Sequence, residues 1–99
     1  MIDLTKKQCE ICKIFSNASR VEILVALRNN PQTVSAIVKN TGLNQSVVSQ
    51  HLAILRNKNI VETEKKGSWV TYKIKYPEIM NAFNIMRGVT KKISQGRTK

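Results

Sequence analysis

A chain of 99 residues, 41% hydrophobic and 23% charged, has the make-up of one globular domain with a single modest core, not of a disordered basic tail. Seventeen Lys and Arg against six Asp and Glu give a formal net charge of +11, which points to a polyanionic partner, nucleic acid or an anionic membrane surface. No stretch approaches about 18 apolar residues, Met1 to Lys7 carries no signal-peptide pattern, and two cysteines cannot make a disulfide scaffold, so a reducing cytoplasm without membrane attachment is expected.

Leu4, Ile11, Cys12 and Phe15 recur at helical spacing and predict a short amphipathic helix over residues 3–15. Ser16-Asn17 breaks it and supplies an N-cap candidate for the next helix, Ala18 to Asn29. Val21, Ile23, Leu24, Ala26 and Leu27 form its broad apolar stripe, and Pro31 forbids continuation. A third helix spans Thr33 to Asn40, capped by Thr33, with Val34, Ile37 and Val38 inward. Thr41-Gly42-Leu43 then makes a tight turn in which Gly42 is free to take positive φ.

Asn44 caps a fourth helix running to about Lys58. Val48, Leu52 and Leu55, at i, i+4 and i+7, fix one face inward. At about 100° per residue, Ser46, Ser49, Gln50 and Ala53 point the other way. That outward face carries amides and hydroxyls in place of Glu/Lys pairs, which suits close approach to another surface. Asn59 ends the helix, and two β-rich runs follow, Ile60 to Glu64 and Trp69 to Ile74, joined by the hairpin loop Lys65-Lys66-Gly67-Ser68. Trp69 and Tyr72 fall on opposite faces of a regular strand, so they cannot form one stacking platform; core and wing packing is expected of both. Pro77 opens a last helix over about residues 77–93, with the stripe Ile79, Met80, Phe83, Met86, Val89 and Ile93. Residues 94–99 have no apolar anchor and are expected to be a disordered tail.

The predicted architecture is mainly α with a small β-hairpin, in the order α-α-α-α-β-β-α. The third and fourth helices make a helix-turn-helix and the hairpin makes a wing, all in a single domain over residues 1–99. The second half of the chain holds most of the charge: residues 51–99 carry eleven basic and three acidic side chains, against six and three in residues 1–50.

The string Thr41-Gly42-Leu43-Asn44-Gln45-Ser46-Val47-Val48-Ser49-Gln50-His51-Leu52-Ala53-Ile54-Leu55-Arg56 resembles the ArsR/SmtB family of dimeric winged-helix repressors. Ala18-Ser19-Arg20-Val21-Glu22-Ile23-Leu24 before it and Gly67-Ser68-Trp69-Val70-Thr71-Tyr72-Lys73 after it extend the likeness over residues 15–76. The resemblance implies a double-stranded DNA operator as partner, with the helix at 44–58 in the major groove. Asn44, Gln45, Ser46, Ser49, Gln50, His51 and Arg56 would face DNA there, with Lys65, Lys66 and Ser68 of the wing on the backbone or minor groove. Short and amide side chains reach base edges, and Gln50 can offer adenine a bidentate pair. His51, the sole histidine, reads as a structural residue or a phosphate contact. Arg56 and Lys58 could equally complement the helix dipole.

Family members that release DNA on binding metal use a Cys-x-Cys on the third helix, or Asp, His and Glu on the last. The matching positions Thr33 and Ser35 are poor ligands for soft metals, and residues 77–92 contain only Glu78. No metal site of either type and no cofactor is expected, and the inducer is unknown. Cys9 and Cys12 lie at i, i+3 on one helix. They are either a redox or metal-sensing pair or small apolar residues filling an interface. The last stripe is too wide for one small core, so pairing the terminal helices across a two-fold predicts a homodimer seam of Leu4, Ile11, Phe15, Ile79, Phe83 and Met86. The alternative is a winged-helix protein-interaction module without DNA binding. No carboxylate pair, His-containing triad or phosphate-cradling Gly loop marks an enzyme.

Overall fold

A computed structural model describes residues 3–96. Each of its first four helices starts on a side-chain oxygen that takes up an otherwise unsatisfied N–H. Asp3 caps α1 (Leu4–Ile14) by accepting from Lys6 N–H at 3.1 Å. Asn17 caps α2 (Ala18–Leu27) through Arg20 N–H at 3.1 Å, and Thr33 caps α3 (Val34–Thr41) through Ala36 N–H at 3.2 Å. Asn44 caps α4 (Gln45–Asn57) through Val47 N–H at 2.9 Å. Each such cap is worth about 1 kcal/mol, which fixes where the chain turns.

The junction between α3 and α4 needs Gly42, whose φ of 75° returns its N–H to the Val38 carbonyl at 2.9 Å. Asn59, with φ 61°, ends α4: the N–H groups of Asn59 and Ile60 return to the carbonyls of Arg56 and Leu55. That double closure with a buried Ile60 sends the chain straight into the wing.

β1 (Val61–Lys66) and β2 (Trp69–Ile74) pair antiparallel from Val61↔Ile74 to Lys66↔Trp69. The turn is therefore Gly67-Ser68 alone, shorter than the four-residue loop predicted. Gly67 at φ 61° permits the tight connection, so the ladder runs on through both lysines. On its other edge, Tyr72 exchanges two backbone hydrogen bonds with Gln32, at 3.0 and 2.8 Å, tying the root of the wing to the α2–α3 loop.

The core is built by Ile23, Leu24 and Leu27 of α2, Ile37 of α3, and the predicted α4 trio Val48, Leu52 and Leu55. Ile60, Val61 and Ile74 close it from the hairpin, and Ile14 and Met80 from the terminal helices. α5 (Glu78–Gly96) buries Met80 and half-buries Ile79 and Phe83; every residue from Asn84 onward is exposed. Phe15 stacks on Phe83, centroids 5.5 Å apart, and so joins α1 to α5. Ser94 to Gly96 remain helical, contrary to the predicted tail, because propagating a formed helix adds one hydrogen bond per residue and needs no apolar anchor. Residues 97–99 of that predicted tail lie outside the described residues.

Candidate nucleic-acid interface

With Val48, Leu52 and Leu55 buried, the helical twist divides the rest of α4 into an outward face and two edges. Ser46 and Gln50 point outward and are exposed, with no carboxylate on the helix. The edge formed by Ser49, Ala53 and Arg56 borders a cleft of about 450 Å³ whose far wall is Tyr72 of β2. The opposite edge carries His51, half-buried, whose Nδ1 accepts from Arg20 Nε–H at 3.3 Å. Burial, and then the Arg20 charge, hold the His51 imidazole below its ordinary pKa.

At the start of α4, Asn44 Oδ1 accepts both Val47 N–H and the Ser46 hydroxyl, the latter at 3.0 Å. Its oxygen is committed to the cap, leaving the Asn44 amide as a donor and the Ser46 oxygen as an acceptor. Gln45 and Gln50 are exposed with donor and acceptor both available.

The wing register separates the two lysines that sequence reading treated alike. Residues directly opposite share a face. Lys65, Thr63 and Val61 therefore stand with Val70, Tyr72 and Ile74, on the side of the core and the α4 cleft. Lys66, Glu64 and Glu62 stand with Trp69, Thr71 and Lys73 on the far side. There Lys66 pairs with Glu64 and Lys73 with Glu62, each at 3.9 Å, whereas Lys65 has no ion-pair partner among the described residues. Such exposed pairs are weak, but they cancel charge on the far face. Lys65→Gln is expected to lower the slope of log affinity against log salt by about 0.9, and Lys66→Gln by clearly less. Equal slopes for the two variants would show that the faces are not distinguished by DNA. Ser68 is exposed in the turn.

Tyr72 packs on the core as predicted, but Trp69 does not: it is 66% exposed, because the end of the hairpin projects beyond any core residue. Cys9 and Cys12 are both free thiols, exposed on α1. In one copy they fill no interface, and no group of three metal-capable side chains occurs among the described residues.

The nominated dimer residues divide. Leu4 is 76% exposed and Met86 is exposed, whereas Ile11, Phe15, Ile79 and Phe83 are half-buried against the chain's own core. Sequence reading passed over Ile85, 72% exposed, and left Val89 and Ile93 out of the seam although both are exposed. The signal for Val89 and Ile93 was the continuation of the α5 stripe past Phe83; Ile85 lies off that stripe. Beside them a groove of about 900 Å³ opens between α2 and α5, lined by Phe15, Val21, Val25, Phe83 and Met86.

Residues 17–63 match the family described as bacterial regulatory protein, arsR family. Over 73 residues the chain is 34% identical to the transcriptional activator HlyU of Vibrio cholerae, covering 74% of this chain and 68% of that one. The chain belongs to the arsR family. This family consists of regulators of transcription, not enzymes. A crystal structure of Rv0081 from Mycobacterium tuberculosis superposes over the full length of both chains with a TM-score of 0.86 at 26% identity. A homodimeric winged helix-turn-helix DNA-binding domain from Mycobacterium bovis, solved by NMR, matches with a TM-score of 0.81 at 25% identity, covering 94% of this chain and 86% of that one. These matches establish the winged helix-turn-helix architecture for this arsR-family chain. No helix among the described residues is long and apolar enough to cross a membrane.

Proposed function

We propose that this arsR-family regulator binds double-stranded DNA as a homodimer and represses transcription by occupying an operator. The observation that carries the reading is the exposed face of α4, free of carboxylates, with Lys65 on the adjoining side of the wing. α4 enters the major groove, where Gln50, Gln45 and the Ser46 oxygen reach base edges. Ser49 and Arg56 turn toward the wing, whose Lys65 and Ser68 meet the backbone or minor groove. The net charge of +11 supplies the salt-dependent, sequence-independent share of binding.

The dimer seam is formed by α1 and the outer part of α5, with Leu4, Met86, Val89 and Ile93 as its apolar contacts. The homodimeric state of the Mycobacterium bovis domain supports a homodimer here, and the exposed apolar residues of α1 and α5 support the seam. A two-fold then sets the recognition helices one turn of DNA apart. Repression is the simplest consequence of occupying a promoter. The relative HlyU is named an activator, so the sign of regulation is read from a reporter with the operator inside the promoter. The reading places the protein in the cytoplasm, with its DNA.

Selection of bound duplexes from a random pool tests the function. The expected product is an inverted repeat with half-site centres about 10–10.5 base pairs apart, or a multiple of that spacing. A pool with no enriched sequence, and binding that does not weaken with salt, would overturn it.

A further inference from the structure

Arg20 stands in the first turn of α2, outside both the helix-turn-helix and the wing. Its Nε–H donates to His51 Nδ1, a bond joining residues 31 apart in sequence, and both side chains are half-buried. No carboxylate pairs with Arg20 among the described residues, and its remaining guanidinium N–H groups have no acceptor there. Because Nδ1 accepts, the imidazole proton sits on Nε2, a second donor without an acceptor. No buried side-chain donor lacks a partner among the described residues, so these N–H groups reach solvent and stay open to an incoming anion.

The placement of the pair says which anion. An α-helix with its side chains is about 10–12 Å across, and the major groove is about 12 Å wide. A recognition helix in the groove therefore sets its two edges against the two phosphate strands. Ser49 and Arg56 on one edge have the wing beside them. His51 and Arg20 occupy the other. We propose that Arg20 and His51 form a phosphate-contact site on the α2 edge of α4, holding one backbone phosphate of DNA, with Arg20 also positioning His51 for it. This rests on the DNA-binding reading above. A guanidinium suits the role, since its fork matches two phosphate oxygens.

The site has a titration signature. In the free protein, burial and the Arg20 charge favour neutral imidazole. Arg20 on α2 is the charged group acting on it; Arg56 lies on the opposite edge of α4. Glu22 of α2, Lys39 of α3 and Glu62, Glu64, Lys65 and Lys66 of β1 are the other charged groups on the elements packed against α4, and none is a cause of the lowered pKa. A phosphate that accepts from Nε2–H supplies the opposite charge, so Nδ1 takes up a proton more readily in the complex, giving up its bond from Arg20 Nε–H when it does.

Two measurements test the site. The first is the salt dependence of binding for wild type and Arg20→Gln, on operator and on random duplex. The expected slope is smaller by about 0.9 on both DNAs. The second is NMR titration of the single histidine in wild type, free and DNA-bound, with a higher midpoint expected in the complex. This second measurement decides the matter if Arg20→Gln does not fold. An unchanged slope in a folded Arg20→Gln, or an imidazole that titrates identically in both states, overturns the site alone. Wild type that binds no DNA overturns the DNA-binding reading and the site with it.

Discussion

Replacing Met86 and Ile93 together with Glu is expected to give a folded monomer whose operator affinity is lower by about 10²–10⁴-fold, the usual scale of lost bivalency. Both side chains are 58% exposed in the single chain, so charging them removes nothing from its core. The thirteen residues of α5 beyond Phe83 extend about 20 Å at the helical rise, with Ile85, Met86, Val89 and Ile93 exposed along them. Burying one such side chain is worth roughly 1.5–3 kcal/mol, and a two-fold seam uses each residue twice. Phe83→Glu would be a poorer probe, because Phe83 stacks on Phe15 within the same chain; its loss would damage the fold as well as the seam. Sedimentation reads the assembly and thermal unfolding reads the fold. A double variant that still sediments as a dimer would place the seam elsewhere.

What the sequence made legible was local. Asn17, Thr33 and Asn44 announced their caps and Gly42 its turn, because each acts within a few residues of its own position. The inward trio of α4 followed from period alone. What stayed hidden depended on contacts across the chain. The extent of the hairpin ladder is set by pairing on both strands, so Lys65 and Lys66 looked like loop neighbours until the register put them on opposite faces. Trp69 read as a packing residue because strand alternation cannot tell how far a hairpin projects past its core. The stripe of α5 predicted a helix with one apolar face, but not that the chain's own core ends at Phe83. The bond between Arg20 and His51 carries no local signal, since it spans 31 residues. The residues proposed to face DNA were reached mainly through the family string, and the structure adds which of their atoms remain available.

Those atoms rank the base-reading residues of the proposed interface. Gln50→Ala should reduce discrimination between operator and random DNA by about 1–3 kcal/mol, the worth of a bidentate amide contact; every 1.4 kcal/mol is about tenfold in affinity. Gln50 is exposed on the outward face of α4 and keeps both its donor and its acceptor. Alanine is a good helix former, so α4 itself should not suffer. Ser46→Ala should cost less at the operator, because its hydroxyl proton already goes to Asn44 and only an acceptor is lost. The ordering Gln50 above Ser46 is therefore the specific expectation, measured as affinity for operator relative to random duplex at fixed salt. Equal weakening of Gln50→Ala on both DNAs would assign Gln50 to the phosphate backbone. A larger loss of discrimination for Ser46→Ala would mean that the Asn44 contact opens when DNA binds.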